Sequence, residues 1–169
     1  MENETSDFYR WSKYFLLVVT AVIVFRLYVL TPYVVEGISM EPTLENNERI
    51  VVNKFVYLYR EPSYGDVIVL HATKTDDYIK RVIGVAGDTL ELTNGILYRN
   101  GREVNESYIS QVTMVGFKKL TVPAGSYFVM GDNRNHSLDS REIGFIKRGN
   151  VVGKAELIFY PFDNAKVIR

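Results

Sequence analysis

The sequence of 169 residues predicts a mainly β domain behind a single N-terminal transmembrane helix. Three observations predict it: an apolar run over residues 14–30 that holds one charge, a series of short β-type runs separated by turn signals, and two Asn-Gly steps close together. Hydrophobic residues make up 47% of the chain, and 20 Lys+Arg balance 20 Asp+Glu, which suits one modest folded domain. The basic residues lie singly or in pairs rather than in a stripe, so nucleic acid is not an expected partner. Cysteine is absent, which excludes disulfides, Cys-ligated metal centres and a thiol nucleophile.

The apolar run comes first. At ~1.5 Å per residue it spans about 26 Å, a little short of a hydrocarbon core of about 30 Å, and Arg26 near its far end can snorkel. A cleaved secretory signal is one rival, but no small-x-small site follows and the exit reads Thr31-Pro32-Tyr33. A buried core helix is the other. Arg10 and Lys13 precede the run, whereas Glu36, Glu41, Glu45 and Glu48 follow it, which favours a cytoplasmic N-terminus. Residues 1–13 would then lie in the cytoplasm, residues 14–30 would span the cell membrane, and residues 33–169 would form an extracytoplasmic domain.

Beyond the helix, β-type runs cover residues 50–57, 66–71, 78–85, 89–92, 96–99, 120–122, 127–130 and 151–160. Asn94-Gly95 and Asn100-Gly101 bracket one of them, because both residue types tolerate positive φ, and they predict a small hairpin lobe around residues 89–118. Pro62-Ser63-Tyr64-Gly65 and Pro123-Ala124-Gly125 mark further turns. Residues 131–147 lack clear periodicity and are dense in Asp, Asn, Arg and Ser.

Several residues could carry chemistry. Ser39 stands in a loop-like setting after Gly37 and before Pro42; it reads either as a nucleophile or as the cap of a short turn over residues 40–46. Lys80 sits in the middle of a strand, with Tyr78 and Val82 on its face and Ile79, Arg81 and Ile83 on the other. One of the two basic residues has to be covered. A covered lysine loses its charge readily and can serve as a base, whereas an edge-strand lysine snorkels to water. The polar run at 131–141 reads as a hydrogen-bonded structural loop, with Asp139 paired to Arg141, and such a loop also suits the support of a nucleophile and its base. His71 has no evident partner, and His136 reads as a surface residue.

Three motifs in order resemble bacterial type I signal peptidases, of the small single-anchor kind common in Gram-positive bacteria. They are Ser-Met-Glu-Pro-Thr-Leu at 39–44, Lys-Arg-Val-Ile-Gly at 80–84 with Gly87-Asp88, and Gly-Asp-Asn-Arg-x-x-Ser-x-Asp-Ser-Arg at 131–141. The resemblance implies a β-rich catalytic domain of the type shared with self-cleaving repressor proteases. It also implies a serine endopeptidase that removes signal peptides after small-x-small sequences through an acyl-enzyme. Ser39 would be the nucleophile and oxyanion donor through its backbone N–H, and Lys80 the general base. Ser137 would orient the lysine amine, with Asp139 and Arg141 holding the loop. Val35, Met40, Leu44, Tyr78 and Ile79 fall at positions that would line the substrate pockets, though each could equally be core. No metal or cofactor is implied. The implied partners are signal peptides of preproteins and membrane lipid, with the secretion channel a further candidate. Gly37 replaces a serine that helps the oxyanion in Gram-negative relatives, and Ala86 replaces a frequent proline. Two other readings stay open: a repressor-type self-cleaving Ser-Lys protease, and an inactive membrane-anchored β-domain that binds other proteins.

Overall fold

A computed structural model describes residues 2–28, 30–73 and 75–169. Helix α1 spans Glu2–Tyr28 and strand β1 spans Leu30–Val34, so the helix ends before the predicted residue 30 and the β domain begins before the predicted residue 33. Among the described residues no helix is long and apolar enough to cross a membrane. The far end of the predicted span, residues 24–29, lies outside the described side chains. The described side chains of α1 lie almost entirely in the open, with Trp11 73% and Phe15 72% exposed, so the core-helix alternative does not hold for them.

Strand β2 (Arg49–Asn53) is followed by a single helical turn, α2 (Val56–Tyr59), where the sequence predicts continued strand. Asn53 ends the strand by accepting the Val56 N–H on its side-chain oxygen at 3.1 Å, the local competition with the ladder that Asn offers. Then come β3 (Val67–His71), β4 (Asp77–Gly84), β5 (Thr89–Thr93), β6 (Ile96–Arg99), β7 (Arg102–Glu103), β8 (Phe117–Thr121) and β9 (Ser126–Met130). The remaining elements are α3 (Ser140–Ile143), β10 (Ile146–Lys147), β11 (Val151–Tyr160) and β12 (Lys166–Val167).

The strands make two antiparallel sheets. The larger runs β1-β2-β11-β3-β4-β9-β10 with β12 on β11, and the smaller runs β7-β6-β5-β8. Asn94-Gly95 and Asn100-Gly101 adopt positive φ, as the hairpin reading requires, but β7 and β8 enlarge the predicted hairpin into a four-stranded lobe that ends at Thr121.

Strand β3 is buried on both faces, sending Val67 and Val69 into one apolar cluster and Ile68 and Leu70 into another. Its neighbour β4 lies between β3 and β9 in the strand order, paired with β3 over Asp77–Arg81 and with β9 from Arg81 onward. The stretch ahead of Arg81 has no partner on the β9 side among the described residues. At the opposite end of the sheet, β1 pairs with β2 alone. These two free edges border one cleft.

Candidate active site

The turn after β1 brings Ser39 to the base of the cleft. Gly37 has φ of 89°, a left-handed conformation that side chains resist, so a serine at this position would be strained in this backbone. Met40 and Leu44 anchor the turn in the core, and both are nearly inaccessible.

Lys80 is 3% exposed, so the edge-strand reading fails. Its Nζ lies 2.8 Å from Ser39 Oγ and 5.3 Å from the Tyr78 ring centroid. Ser39 therefore serves this lysine with its hydroxyl rather than capping a turn. Burial pushes the Lys80 amine down to about 8, while the Asp139 and Asp132 carboxylates pull the other way. An amine so placed is partly neutral near pH 8 and has a lone pair for the Ser39 proton.

Arg81 is buried as well, where the strand pattern required only one covered base. Its charge is matched: Nε and Nη2 donate to the Asp132 carboxylate at 2.8 and 2.7 Å, and Nη1 donates to the Gly65 and Arg169 carbonyls. Thr43 donates to the same carboxylate at 2.5 Å. Asp132 thereby ties the Ser39 turn, β4 and the polar loop together.

That loop is not structureless, since Asp139 caps α3 and residues 146–147 form β10. The Asp139 carboxylate takes two bonds from the Arg141 guanidinium, at 2.8 and 2.9 Å, and one from the Gly131 N–H at 3.0 Å. Gly131 is needed for close approach, because a Cβ there would stand 2.3 Å from Ser137 Oγ and 2.4 Å from the Ser39 carbonyl oxygen. Ser137 Oγ is buried without a hydrogen-bond partner among the described residues, so the expected bond to the Lys80 amine is not formed in this arrangement.

The smaller lobe braces the loop from outside. The Glu106 carboxylate accepts from Arg134 Nη1 and Nη2 at 2.8 and 2.5 Å, and the Tyr108 ring faces the Arg81 guanidinium at 4.1 Å. Glu106, Tyr108 and Arg81 are site-supporting residues that sequence reasoning missed. Single Glu and Tyr residues in a lobe segment carry no pattern that would reveal partners 28 residues away.

The cleft holds about 450 Å³. Of the predicted lining residues, Val35, Met40, Tyr78 and Ile79 border it. Leu44 does not; its side chain is wholly consumed by the core packing of the Ser39 turn. Tyr33, Ile38, Asp77, His136 and Leu138 also border it and were not foreseen. His71 has a partner after all, Asp77, with Nδ1 and Oδ1 2.6 Å apart, and Asp77 also accepts from the Tyr33 hydroxyl at 3.0 Å.

A buried amine against a serine hydroxyl, in an open apolar cleft edged by free strands, defines a peptidase-like site, and the chain belongs to the signal peptidase family, peptidase S26, whose model matches residues 8–160. Among its relatives are signal peptidase I P of Bacillus subtilis subsp. natto, 39% identical over 98% of this chain and 96% of the relative, and signal peptidase I of Bacillus caldolyticus, 42% identical over 90% and 91%. A crystal structure of a signal peptidase I from Enterococcus faecalis V583 is 34% identical with a TM-score of 0.51, covering 56% of this chain and 97% of that one.

Proposed function

We propose that the protein is a membrane-anchored serine endopeptidase that removes signal peptides from secreted preproteins by a Ser39–Lys80 dyad. The 2.8 Å contact between a buried amine and a cleft-facing hydroxyl carries this reading. Neutral Lys80 takes the proton of Ser39 Oγ, and the oxygen attacks the scissile carbonyl. As the tetrahedral intermediate collapses to the ester, protonated Lys80 gives its proton to the leaving amine. It then takes one from the water that attacks the ester and returns it to Ser39 Oγ as the acid departs, restoring the starting dyad. In this reading the Ser137 hydroxyl, buried without a partner, receives the amine once it leaves Ser39, with Asp139 and Arg141 fixing the loop.

The free edges of β1 and β4 support an extended substrate that adds as a strand, so that main-chain bonds provide affinity for differing sequences. Val35, Met40 and Ile79 form an apolar floor suited to small side chains. The apolar, outward-facing side chains of α1 support insertion in the cell membrane, N-terminus inside, with membrane lipid and the secretion channel as neighbours.

The test is cleavage of a preprotein by the purified chain in detergent, beside Ser39→Ala and Lys80→Ala. Both variants should lose cleavage by at least about a thousandfold. Near wild-type rates in either would end the dyad assignment.

A further inference from the structure

Among the described residues the Ser39 N–H donates to no protein group, and Ser39 borders the cleft, so this N–H is free to meet an oxyanion. Gly37 brings no side chain to help it. The orientation of a single donor then decides how well the site works, and a peptide N–H is aimed by whatever holds the carbonyl of the same planar unit. For the Ile38–Ser39 peptide that carbonyl is Ile38 O, which accepts from Asn133 Nδ2 at 3.1 Å and from the Glu41 N–H at 3.2 Å.

We infer that Asn133 is a positioning residue for the oxyanion site, gripping the Ile38–Ser39 peptide through its carbonyl and so aiming the Ser39 N–H into the cleft. The inference rests on the Ser39–Lys80 reading given above. Asn133 holds the nucleophile from both sides, because its own N–H donates to the Ser39 carbonyl at 3.1 Å. Its amide has a defined sense: Oδ1 lies 3.2 Å from His136 Nδ1, which donates when it carries the proton, and this leaves Nδ2 for Ile38. The neighbouring Asp132, bound to buried Arg81 and to Thr43, fixes the backbone from which Asn133 reaches. A bond accepted by the carbonyl also polarises the peptide, strengthening its N–H as a donor.

Removal of an oxyanion donor costs about 10²–10³ in kcat. Asn133→Ala leaves the donor in place but loosens it, and the Glu41 bond remains, so a fall of about tenfold to a hundredfold is expected with KM unchanged.

The experiment compares wild type, Asn133→Ala and Asn133→Ser as full chains in detergent, using two matched peptides ending at the cleavage point. One ends in an aldehyde, to which Ser39 Oγ–H adds across the C=O to give a hemiacetal oxygen in the oxyanion site. The other ends in the corresponding alcohol, which cannot. Asn133 variants should lose aldehyde affinity by the same factor as kcat, keep alcohol affinity, and leave the alkaline rise of the pH–rate curve unmoved. Both ligands are titrated into one preparation, so an unfolded fraction removes sites without changing the affinity ratio. Equal weakening of both peptides, an unchanged ratio, or a displaced pH curve would overturn the inference. Ser39→Ala separates the two claims: if it leaves the aldehyde preference intact the dyad reading fails, whereas if it abolishes the preference and Asn133→Ala does not, only the role of Asn133 fails.

Discussion

Raising the pH tests the burial of Lys80 most directly. With the amine at about 8, its neutral fraction is about 0.09 at pH 7, one half at pH 8 and about 0.9 at pH 9. The value of kcat/KM should therefore rise less than about twofold between pH 8 and 9, whereas a lysine titrating at about 10.4 would give a rise of nearly tenfold over that interval.

Folding stability supplies an independent readout of opposite character. Below pH 8 the amine is charged in both native and unfolded chains, and the full burial penalty applies. Between 8 and 10.5 the unfolded chain binds more protons, so the native state gains stability as pH rises, by about 3 kcal/mol in total. Chemical denaturation of wild type against Lys80→Met, whose side chain does not titrate, should show wild type gaining on the variant between pH 8 and 10.5. Parallel stability curves, together with a cleavage rate still climbing tenfold per unit at pH 9, would refute the reasoning.

Ser137→Ala removes a buried hydroxyl that has no partner, so its unfolding midpoint should be unchanged or higher, while kcat falls about tenfold or more if the hydroxyl holds the displaced amine. A lower midpoint at full kcat would show a structural hydroxyl instead. Arg81→Met leaves the Asp132 carboxylate buried without its partner and should cost about 3–5 kcal/mol in denaturant unfolding, part of which the double variant Arg81→Met/Asp132→Leu recovers. A loss under about 1 kcal/mol would mean the pair is a minor support.

Most strands of the domain could be read from alternation and turn residues, because β5, β6, β9 and β11 are bounded by Gly, Asn or Pro signals that act locally. β1 could not. Leu30 closes the apolar run before it, Thr31-Pro32 follows with no alternation, and only pairing with β2 makes them strand. β10 and β12 are two-residue edges defined by their partners rather than by pattern. In the site, Ser39, Lys80 and the 131–141 loop were legible through their motifs. Strand alternation also told that a base had to be covered, but it could not tell that both were, since the Arg81 partner lies 51 residues away. The family resemblance puts Leu44 at a position that would line the pocket. The tight turn reverses it into the core instead. Asn133, inside a motif whose Ser, Asp and Arg drew attention, is recognisable only once its amide is seen against Ile38.

Helix α1 ends at Tyr28, and β1, beginning at Leu30, is itself a wall of the cleft. With α1 as the proposed anchor, the cleft wall begins two residues past the helix end. Ser39 follows Tyr28 by eleven residues, so the chain can carry it no farther than about 40 Å from the helix end, at ~3.4 Å per residue. Under the proposed anchoring the protein would set an upper limit on how far from the bilayer surface the serine can act, and a substrate crossing the same membrane would be cut within that height.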